Sequence, residues 1–187
     1  MQKNIQTVKK IAILTSGGDA PGMNAAIRAI VIAAQHYHLE VTGFYAGFNG
    51  LIDDVSVPLG LKDVSHIIHR GGTILKSARC PAMETTLGIA QATSTLLKAQ
   101  IDALIVIGGD GSFTGLIALQ KQWSGQVIGI PGTIDNDIDG TDFTIGFSTA
   151  INTAIEAIDK IRDTAEAFER IFIVELMGRH SGHIAFN

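Results

Sequence analysis

The sequence predicts an α/β fold: a mostly parallel sheet with helices on both faces, followed by the start of a second α/β domain. Three observations lead to this prediction. Short apolar runs lack the polar alternation of half-exposed strands, a glycine-rich turn follows each run, and segments with helical spacing separate the runs. This order is typical of parallel sheets covered on both sides. We expect one domain over 1–139 and an incomplete second domain over 140–187.

Four apolar runs are the predicted strands of the sheet. They are 10–14, 101–107, 126–130 and 170–175. Helical spacing follows the turns at 23 to about 36, after 112 to about 122, and at about 148–167. The apolar face of the last helix is formed by Ile151, Ile155, Ile158 and Ile161.

The glycine-rich turns are the first indication of a ligand site. They span 15–22, 108–112, 131–137 and 176–182. Each turn follows a predicted strand, and in open α/β sheets ligands bind beyond the carboxyl ends of the strands. The turns therefore predict one shared site along that edge of the sheet.

Composition and charge argue against several classes of function. The chain has 187 residues, 46% of them hydrophobic, which is enough for one domain and part of a second. A net charge of −4 without a basic stripe argues against a nucleic-acid partner. No apolar stretch reaches the length of a membrane span, and Cys80 is the only cysteine, so no disulfide forms within the chain. We expect a cytoplasmic protein without a membrane partner.

Two turns have the composition of phosphate-binding loops. The loops 16–19 and 108–111 place glycines where a strand passes into a helix, and backbone N–H groups there attract anions. Neither loop is a P-loop, because no Gly-Lys-Ser/Thr follows, and neither has the G-x-G-x-x-G spacing of a dinucleotide site. The alternative is two tight turns without a ligand. The presence of two such loops, each with an Asp, favours phosphate binding.

Three acidic residues in these turns are candidates for chemistry. Asp110 has the character of a Mg²⁺ ligand beside bound phosphate, or of a cap on the following helix, and the residues alone leave both readings open. Asp135 and Asp137 lie two residues apart in a tight loop, where one carboxylate can serve as a general base for a hydroxyl. The alternative for this pair is a solvated Asx turn.

The remaining polar candidates are arginines and histidines. Arg79, Arg170 and Arg179 lie at or beside strand ends or glycine turns, and a guanidinium fork matches two phosphate oxygens. The histidine pairs 66/69 and 180/183 come without carboxylates or cysteines at metal-site spacing, so we assign them no ligand.

As an ordered set, several segments closely resemble the bacterial-type ATP-dependent 6-phosphofructokinase family. They are 14–28, 76–79, 106–112, 131–138, 140–147 and 174–179. The similarity covers nearly the whole chain, and the order of the segments is far more specific than any one of them. It implies a phosphofructokinase-like fold with a nucleotide-binding domain over 1–139 and the beginning of a substrate-binding domain over 140–187.

The resemblance implies phosphorylation of D-fructose 6-phosphate by ATP in glycolysis, with Mg²⁺ as cofactor. The residues implied for the ATP site are Gly17, Arg79, Cys80, Gly109, Asp110, Gly111 and Ser112, with Asp110 as the metal ligand. The implied catalytic residues are Asp135 as the base, Arg79, Thr133 and Asp137. The implied sugar-phosphate contacts are Thr133, Ile134, Asp135, Arg170, Met177, Gly178 and Arg179.

The resemblance also implies partners and regulation. Arg170 matches a residue that reaches into a neighbouring subunit, which implies a homo-oligomer, usually a tetramer. Arg28 and Arg162 match effector-binding residues for ADP or phosphoenolpyruvate. The family's usual residues are absent in two regions. Near the nucleotide the departures are Phe48, Glu84 and Ile89, and at the effector site they are Ile32 and Leu61.

Two further expectations concern the phosphoryl donor and the length of the whole protein. Pyrophosphate-dependent members carry Asp at the position of Gly111 and Lys at that of Gly132, so the two glycines favour ATP. The alternatives are a pyrophosphate-dependent enzyme and a nucleotide-binding module without catalysis. Residues 183–187 look like the opening of another helix, so we expect a piece of a longer kinase that is inactive by itself.

Overall fold

The computed structural model describes residues 8–187 and contains a six-stranded sheet. The strands are β1 (Lys10–Ser16), β2 (Glu40–Phe44), β3 (Ser56–Pro58), β4 (Ala103–Gly108), β5 (Gln126–Thr133) and β6 (Ile145–Gly146). Their spatial order is β3-β2-β1-β4-β5-β6, and every neighbouring pair is parallel except β2 with β3. The predicted fold class is confirmed.

Helices follow most strands. They are α1 (Met23–His36), α2 (Phe48–Ile52), α3 (Thr86–Lys98), α4 (Asp110–Gln120), α5 (Phe147–Phe168) and α6 (His183–Phe186), and a 3-10 turn spans Pro81–Glu84. The bounds predicted for α1 agree with the structure, and those for α5 differ by one residue at each end. Helix α4 begins three residues earlier than predicted and ends two residues earlier. At the start of α3 the Thr85 hydroxyl accepts a hydrogen bond from the Gly88 N–H at 3.1 Å, a typical side-chain cap.

The core lies on both faces of the sheet because the side chains of β1 and β4 alternate between them. Ile13 packs with Ile27 of α1 on one face, while Leu14 packs with Leu96 of α3 on the other. Each of these side chains is fully or almost fully buried, which contributes about 1.5–3 kcal/mol apiece. The two apolar layers hold the carboxyl ends of the central strands in fixed register.

Trp123, the only tryptophan, belongs to the second of these layers. It is 3% exposed and lies beyond the end of α4, in the same cluster as Leu119. A side chain at Gly125 would collide with the indole ring, so the turn into β5 folds closely over it. The indole therefore packs at the base of the sheet, beside the amino end of β5.

The last part of the chain leaves apolar surface exposed. Ile128 of β5 is 50% exposed and Ile155 of α5 is 46% exposed, although both belong to apolar patterns. Ile171 and Ile173 are 95% and 98% exposed. This part of the described chain therefore leaves an apolar surface uncovered.

The strand predicted at 170–175 is wrong for this structure. Residues 170–178 form neither helix nor strand, and 170–175 follow α5 as an exposed segment. A strand requires a neighbour whose N–H and C=O groups complete the ladder. Among residues 8–187 the sheet ends at β6, and no strand pairs with this segment.

Within residues 8–187, no helix combines the length and the apolar composition needed to cross a lipid bilayer.

Candidate active site

The first three glycine turns meet at the carboxyl edge of the sheet. Ser16 at the end of β1 lies opposite Gly108 at the end of β4, and Gly108 lies opposite Pro131 of β5. The turns then touch one another. A Cβ on Gly17 would lie 3.4 Å from the Ser112 hydroxyl oxygen, and one on Gly109 would lie 3.7 Å from the Thr133 Cβ. The predicted shared edge is therefore present for these three turns.

Close packing explains the glycine at the end of β4. A Cβ on Gly108 would lie 2.6 Å from both the Ser112 hydroxyl oxygen and the Ser16 carbonyl oxygen. These distances are too short for any side chain, so the glycine allows the first two turns to approach each other. Ser112, which is 6% exposed, fills the space between them.

Gly18 and Gly111 have a different environment. A Cβ on either residue would meet no atom within 4 Å, and neither has a positive φ. Neither packing nor backbone strain therefore requires glycine at these two positions. Both lie in turns at the carboxyl edge, where a side chain would project into the space above the loops. This space suits a phosphate chain approaching the backbone N–H groups closely.

Asp110 occupies the first turn of α4, and its side chain is not a helix cap. The residue is exposed, and the N-cap position belongs to Gly109, which makes no side-chain cap hydrogen bond. Among residues 8–187 no group of three or more His, Cys, Asp or Glu side chains is arranged to hold a metal ion. A cation at Asp110 would need other ligands, and Mg²⁺ commonly takes one or two carboxylates together with phosphate oxygens. The donor set fits Mg²⁺ only together with a bound phosphate.

Arg79 follows a segment tied to the first glycine turn. The Gly17 N–H donates to the Ala78 carbonyl at 3.1 Å, and the Ser77 hydroxyl donates to the Gly17 carbonyl at 2.8 Å. The Asn49 side chain donates to the Arg79 carbonyl at 3.1 Å. These bonds place the exposed Arg79 beside the loop that begins at Ser16, so a guanidinium is available to an anion there.

Cys80 comes next and is half-buried. Burial raises the pKa of its thiol above the ordinary value, although hydrogen bonds from the backbone of Met83 and Ala82 oppose the rise. The rise favours the protonated thiol over the thiolate, which is the nucleophilic form.

Asp135 lies in a loop just beyond β5. Its N–H donates to the Thr133 hydroxyl at 3.2 Å, so the two residues are held together within one turn. The predicted turn 131–137 starts later than expected, because β5 continues through Thr133. Since Thr133 also approaches Gly109, the turn with Asp135 adjoins the turn with Asp110.

Asn136 and Thr144 close this loop. Asn136 has a positive φ of 50°, and its side-chain oxygen accepts from the Thr144 N–H at 2.8 Å. The Thr144 hydroxyl, in a side chain that is 4% exposed, donates to the Thr133 carbonyl at 2.6 Å. The left-handed turn at Asn136 thus separates Asp135 from Asp137 while the loop stays anchored to β5.

The electrostatics of Asp135 suit a proton acceptor. Burial raises the pKa of its carboxyl, the neighbouring Asp137 carboxylate adds to the rise, and the Arg179 guanidinium opposes it. A general base is most effective when its pKa approaches the working pH. His183, which directly follows the fourth turn, lies 3.0 Å from the Asp135 carbonyl oxygen, so this turn adjoins the loop of Asp135.

The fourth turn, around Gly178, is internally braced. Gly178 is buried with a φ of 133°, and Arg179 has a φ of 53°. The Ser181 hydroxyl donates to the Gly178 carbonyl at 2.8 Å. Met177, just before the turn, is 76% exposed.

His183 was given no ligand or role from the sequence, yet it touches the predicted base. Its Nδ1 lies 3.0 Å from the Asp135 carbonyl oxygen, and its ring meets Phe147 edge-on with centroids 6.4 Å apart. The two residues are 48 positions apart in the chain, so no local sequence signal predicts the contact.

Three predicted arginines lie elsewhere. The Arg170 guanidinium stacks over the Phe168 ring at 4.8 Å from its centroid, at the end of α5. Arg28 donates to the Val64 carbonyl at 3.1 Å, and Arg162 pairs with Asp159 at 2.9 Å. None of these contacts involves the turns at the carboxyl edge, and none joins Arg28 to Arg162.

Two surface cavities lie at the opposite end of the sheet, where the strands begin. One is lined by residues around Lys10 and Glu40, and the other by residues around Asp102 and Trp123. None of the candidate residues lines either cavity. Phosphate sites are often open loops rather than closed cavities, so the glycine turns remain the candidate site.

Comparisons with known proteins identify similar chains. The family model described as Phosphofructokinase matches residues 10–187. The chain is 57% identical to ATP-dependent 6-phosphofructokinase of Coxiella burnetii over 180 residues, which is 96% of this chain and 55% of that protein. It is 54% identical to ATP-dependent 6-phosphofructokinase 1 of Thermus thermophilus, over 96% of this chain and 56% of that protein.

A solved structure agrees with these matches. Phosphofructokinase from Saccharomyces cerevisiae superposes with a TM-score of 0.89 and 38% identity, over 95% of this chain and 27% of that one. The present chain spans about half the length of the curated relatives it matches.

Proposed function

This chain belongs to the phosphofructokinase family, and from that premise we propose that the protein phosphorylates D-fructose 6-phosphate with ATP, in glycolysis. The observation that carries the proposal is the junction of two turns. Gly109, next to Asp110, lies against Thr133, two residues before Asp135. One carboxylate for a cation and one for a proton therefore border the same edge of the sheet, as transfer between a nucleotide and a hydroxyl requires.

The proposed reaction uses the residues of these turns in separate roles. The N–H groups of the turns at Gly17 and Gly109–Ser112 bind the phosphates of ATP, with Arg79 as a counter-charge. Asp110 would hold Mg²⁺, which would neutralise charge on the transferred phosphoryl group. Asp135, aided by Thr133 and Asp137, aligns the sugar 1-hydroxyl and takes its proton. The hydroxyl oxygen then bonds to the γ-phosphorus as the bond to ADP breaks.

The sugar phosphate would lie on the other side of Asp135. Met177, Gly178 and Arg179 form the turn whose guanidinium acts on the Asp135 carboxyl, which supports a role for them and for Ile134 in sugar-phosphate binding. We assign Arg170 to the site of a second subunit, since within residues 8–187 its guanidinium stacks on the Phe168 ring and not on the turns at the carboxyl edge. The exposed Ile171 and Ile173 beside it support a homo-oligomer, for which we propose a tetramer. Each active site of this tetramer would combine residues from two copies of the chain.

Two further aspects of the proposal concern regulation and location. Arg28 and Arg162 would bind ADP or phosphoenolpyruvate at an effector site between subunits. Neither residue contacts the other in this chain, so such a site would depend on the assembly. A cytoplasmic location is supported by Cys80, the only cysteine, because it permits no disulfide within the chain.

The packing around Gly132 supports ATP over pyrophosphate. A Cβ at this buried glycine would lie 2.9 Å from the Ile107 Cγ2 and 3.6 Å from the Met23 Cε. A lysine at this position, as in pyrophosphate-dependent relatives, would displace core side chains. A Cβ on Gly111 would meet no atom within 4 Å, and this open space would accommodate the adenosine-linked phosphate.

The proposal is tested with a chimeric enzyme, in which residues 1–187 are joined to the carboxyl-terminal half of the Thermus thermophilus relative. We expect turnover with ATP and far less with pyrophosphate. Asp135→Ala should lower the rate by roughly two to four orders of magnitude, the usual contribution of a positioned base, with ATP binding retained. Asp139→Ala, in the same loop, is the matched control and should keep its rate. The 187-residue chain alone should show no turnover.

Two results would contradict this proposal. Equal rates for Asp135→Ala and the parent would remove Asp135 from the chemistry. ATP binding by a folded chimera that shows no turnover with either donor would favour a binding module without catalysis.

A further inference from the structure

The contact between His183 and Asp135 has a defined direction. A carbonyl oxygen only accepts hydrogen bonds, so the His183 ring must carry a hydrogen on Nδ1 to bond the Asp135 carbonyl at 3.0 Å. When the neutral ring carries its hydrogen on Nδ1, Nε2 has none. The hydrogen bond of one ring nitrogen thereby sets the tautomer of the whole ring.

The ring of His183 is held from two further sides. Phe147 meets it edge-on, and Phe147 is itself 2% exposed at the start of α5. The His183 N–H lies 3.5 Å from the Ser181 hydroxyl, which is bonded to the Gly178 carbonyl. His183 therefore connects the turn around Gly178 with the main chain of Asp135.

Asn136 is anchored to Thr144 through its side chain, and the remaining freedom lies in the main chain of Asp135. The Thr133 hydroxyl accepts from its N–H, and the next residue, Asn136, adopts the left-handed conformation with φ at 50°. A rotation about the Cα–C bond of Asp135 would turn its carboxyl relative to the peptide between Asp135 and the anchored Asn136. The imidazole N–H opposes that rotation directly, since it binds the carbonyl of this peptide.

We propose that His183 is a positioning residue: it orients the Asp135 main chain and transmits the position of the turn 176–182 to the candidate base. Its kinetic consequence rests on the function proposed above, whereas the contact itself does not. The residue touches neither the phosphates nor the sugar in this proposal. It acts through Asp135.

The first test uses the 187-residue chain and nitrogen-15 NMR of its histidine rings at alkaline pH. We expect the neutral ring of His183 to be the Nδ1–H tautomer, and the exposed His180 in the same turn to show the ordinary mixture. The carbonyl carbon-13 signal of Asp135 should shift in His183→Leu and return toward its original position in His183→Asn, whose side-chain N–H replaces Nδ1–H. An Nε2–H tautomer, or an Asp135 signal unchanged in His183→Leu, would overturn the proposal.

The second test measures kinetics in the chimeric enzyme described above. His183→Leu should lower kcat by about ten- to a hundredfold, the usual effect of a small misplacement of a reacting group, with the KM for ATP unchanged. His183→Asn should recover most of the rate, and His180→Asn serves as the matched control. Equal losses in His183→Asn and His183→Leu, with both folded by circular dichroism, would show that ring packing alone matters and would refute the positioning role.

The two tests separate the two proposals. A chimera without turnover would refute the kinase function, while the tautomer and the Asp135 signal would still decide whether His183 holds this loop.

Discussion

Asp135 combines two requirements that oppose each other. Its carboxyl is half-buried beside Asp137, which raises its pKa, and Arg179 limits the rise. A higher pKa makes the carboxylate a stronger base. It also means that the ionised form has a higher free energy in the folded chain than in water. Function at this residue is therefore expected to cost stability.

The Asp135→Asn variant tests this cost. Because the pKa of Asp135 is higher in the folded chain than in the unfolded one, the stability of the wild type falls as pH rises through the interval between the two values. Once the pH is above that interval, the variant should be the more stable, by less than about 1 kcal/mol since the carboxyl is partly solvated. Urea unfolding at neutral pH, and again at a pH below the ordinary Asp pKa of about 3.9, measures the difference in unfolding free energy between the variant and the wild type. This difference should vanish at the acidic pH.

Asp139→Asn is the control for this measurement. Asp139 is exposed in the same loop, so its substitution should leave the unfolding free energy nearly unchanged. A lower stability of Asp135→Asn at neutral pH would mean that the carboxylate is favourably bound in the folded chain, contrary to the direction of its pKa.

At the level of elements, Asn24 of α1 organises the segment that leads to Arg79. The Asn24 side chain is 2% exposed and donates to the carbonyls of Arg70 and Gly71 at 3.0 and 3.3 Å. Its oxygen accepts from the Ile74 N–H at 2.8 Å. One amide thus fixes a turn that has no helix or strand of its own, and the turn continues into the residues that bond to the first glycine loop.

Asn24→Ala should therefore destabilise the chain by about 2–3 kcal/mol, because three hydrogen bonds of a buried side chain are lost together. The exposed Arg79 should lose its defined position, so affinity for ATP should fall as well. Chemical denaturation and ATP titration of the 187-residue chain measure the two effects. Asn49→Ala, which removes a single bond to the Arg79 carbonyl, should cost less than about 1 kcal/mol. Similar costs for both variants would contradict a central role for Asn24.

The sequence predicts elements well where the apolar pattern and the turn agree. For α1 and the strand before it, a buried apolar run, a glycine turn and helical spacing follow one another, and the structure confirms them. The strand β2 and the helix α3 were not predicted, because 40–44 is short and partly polar and 86–98 lacks a preceding glycine turn. The run 170–175 has strand composition, but only a neighbouring strand decides whether it pairs.

The candidate site shows the same limit. The turns with Asp110 and Asp135 were predicted to share an edge, because parallel topology brings the carboxyl ends of strands together. Contacts made by Asn24 and His183 cross 46 or more positions of the chain, and no local pattern reveals them. The roles assigned to Arg28, Arg162 and Arg170 remain predictions.

For the whole molecule, the exposed apolar segment after α5 is the dominant surface feature. Ile171 and Ile173 are almost completely exposed, and Phe168 next to them is 65% exposed. Contiguous apolar surface of this kind promotes association in water. It lies on the part of the chain that the resemblance assigns to a substrate-binding domain and to subunit contacts.

We expect the 187-residue chain to self-associate through this segment. The double variant Ile171→Lys/Ile173→Lys should shift sedimentation equilibrium strongly toward monomer, since it removes apolar area and adds repulsion. Leu87→Lys/Leu97→Lys, at two exposed leucines of α3, is the control and should leave the distribution unchanged. A chain that is monomeric from the outset, or equal effects of the two double variants, would contradict this expectation.

The single tryptophan gives the molecule a built-in optical reporter. Because Trp123 is sealed beneath the Gly125 turn at the end of the sheet opposite the glycine loops, its emission should be blue-shifted in the native chain and move to longer wavelength when the core opens. Nucleotide added at the carboxyl edge should leave that emission nearly unaltered. Fluorescence will therefore follow unfolding, while ligand binding will have to be followed by a probe placed on the opposite rim.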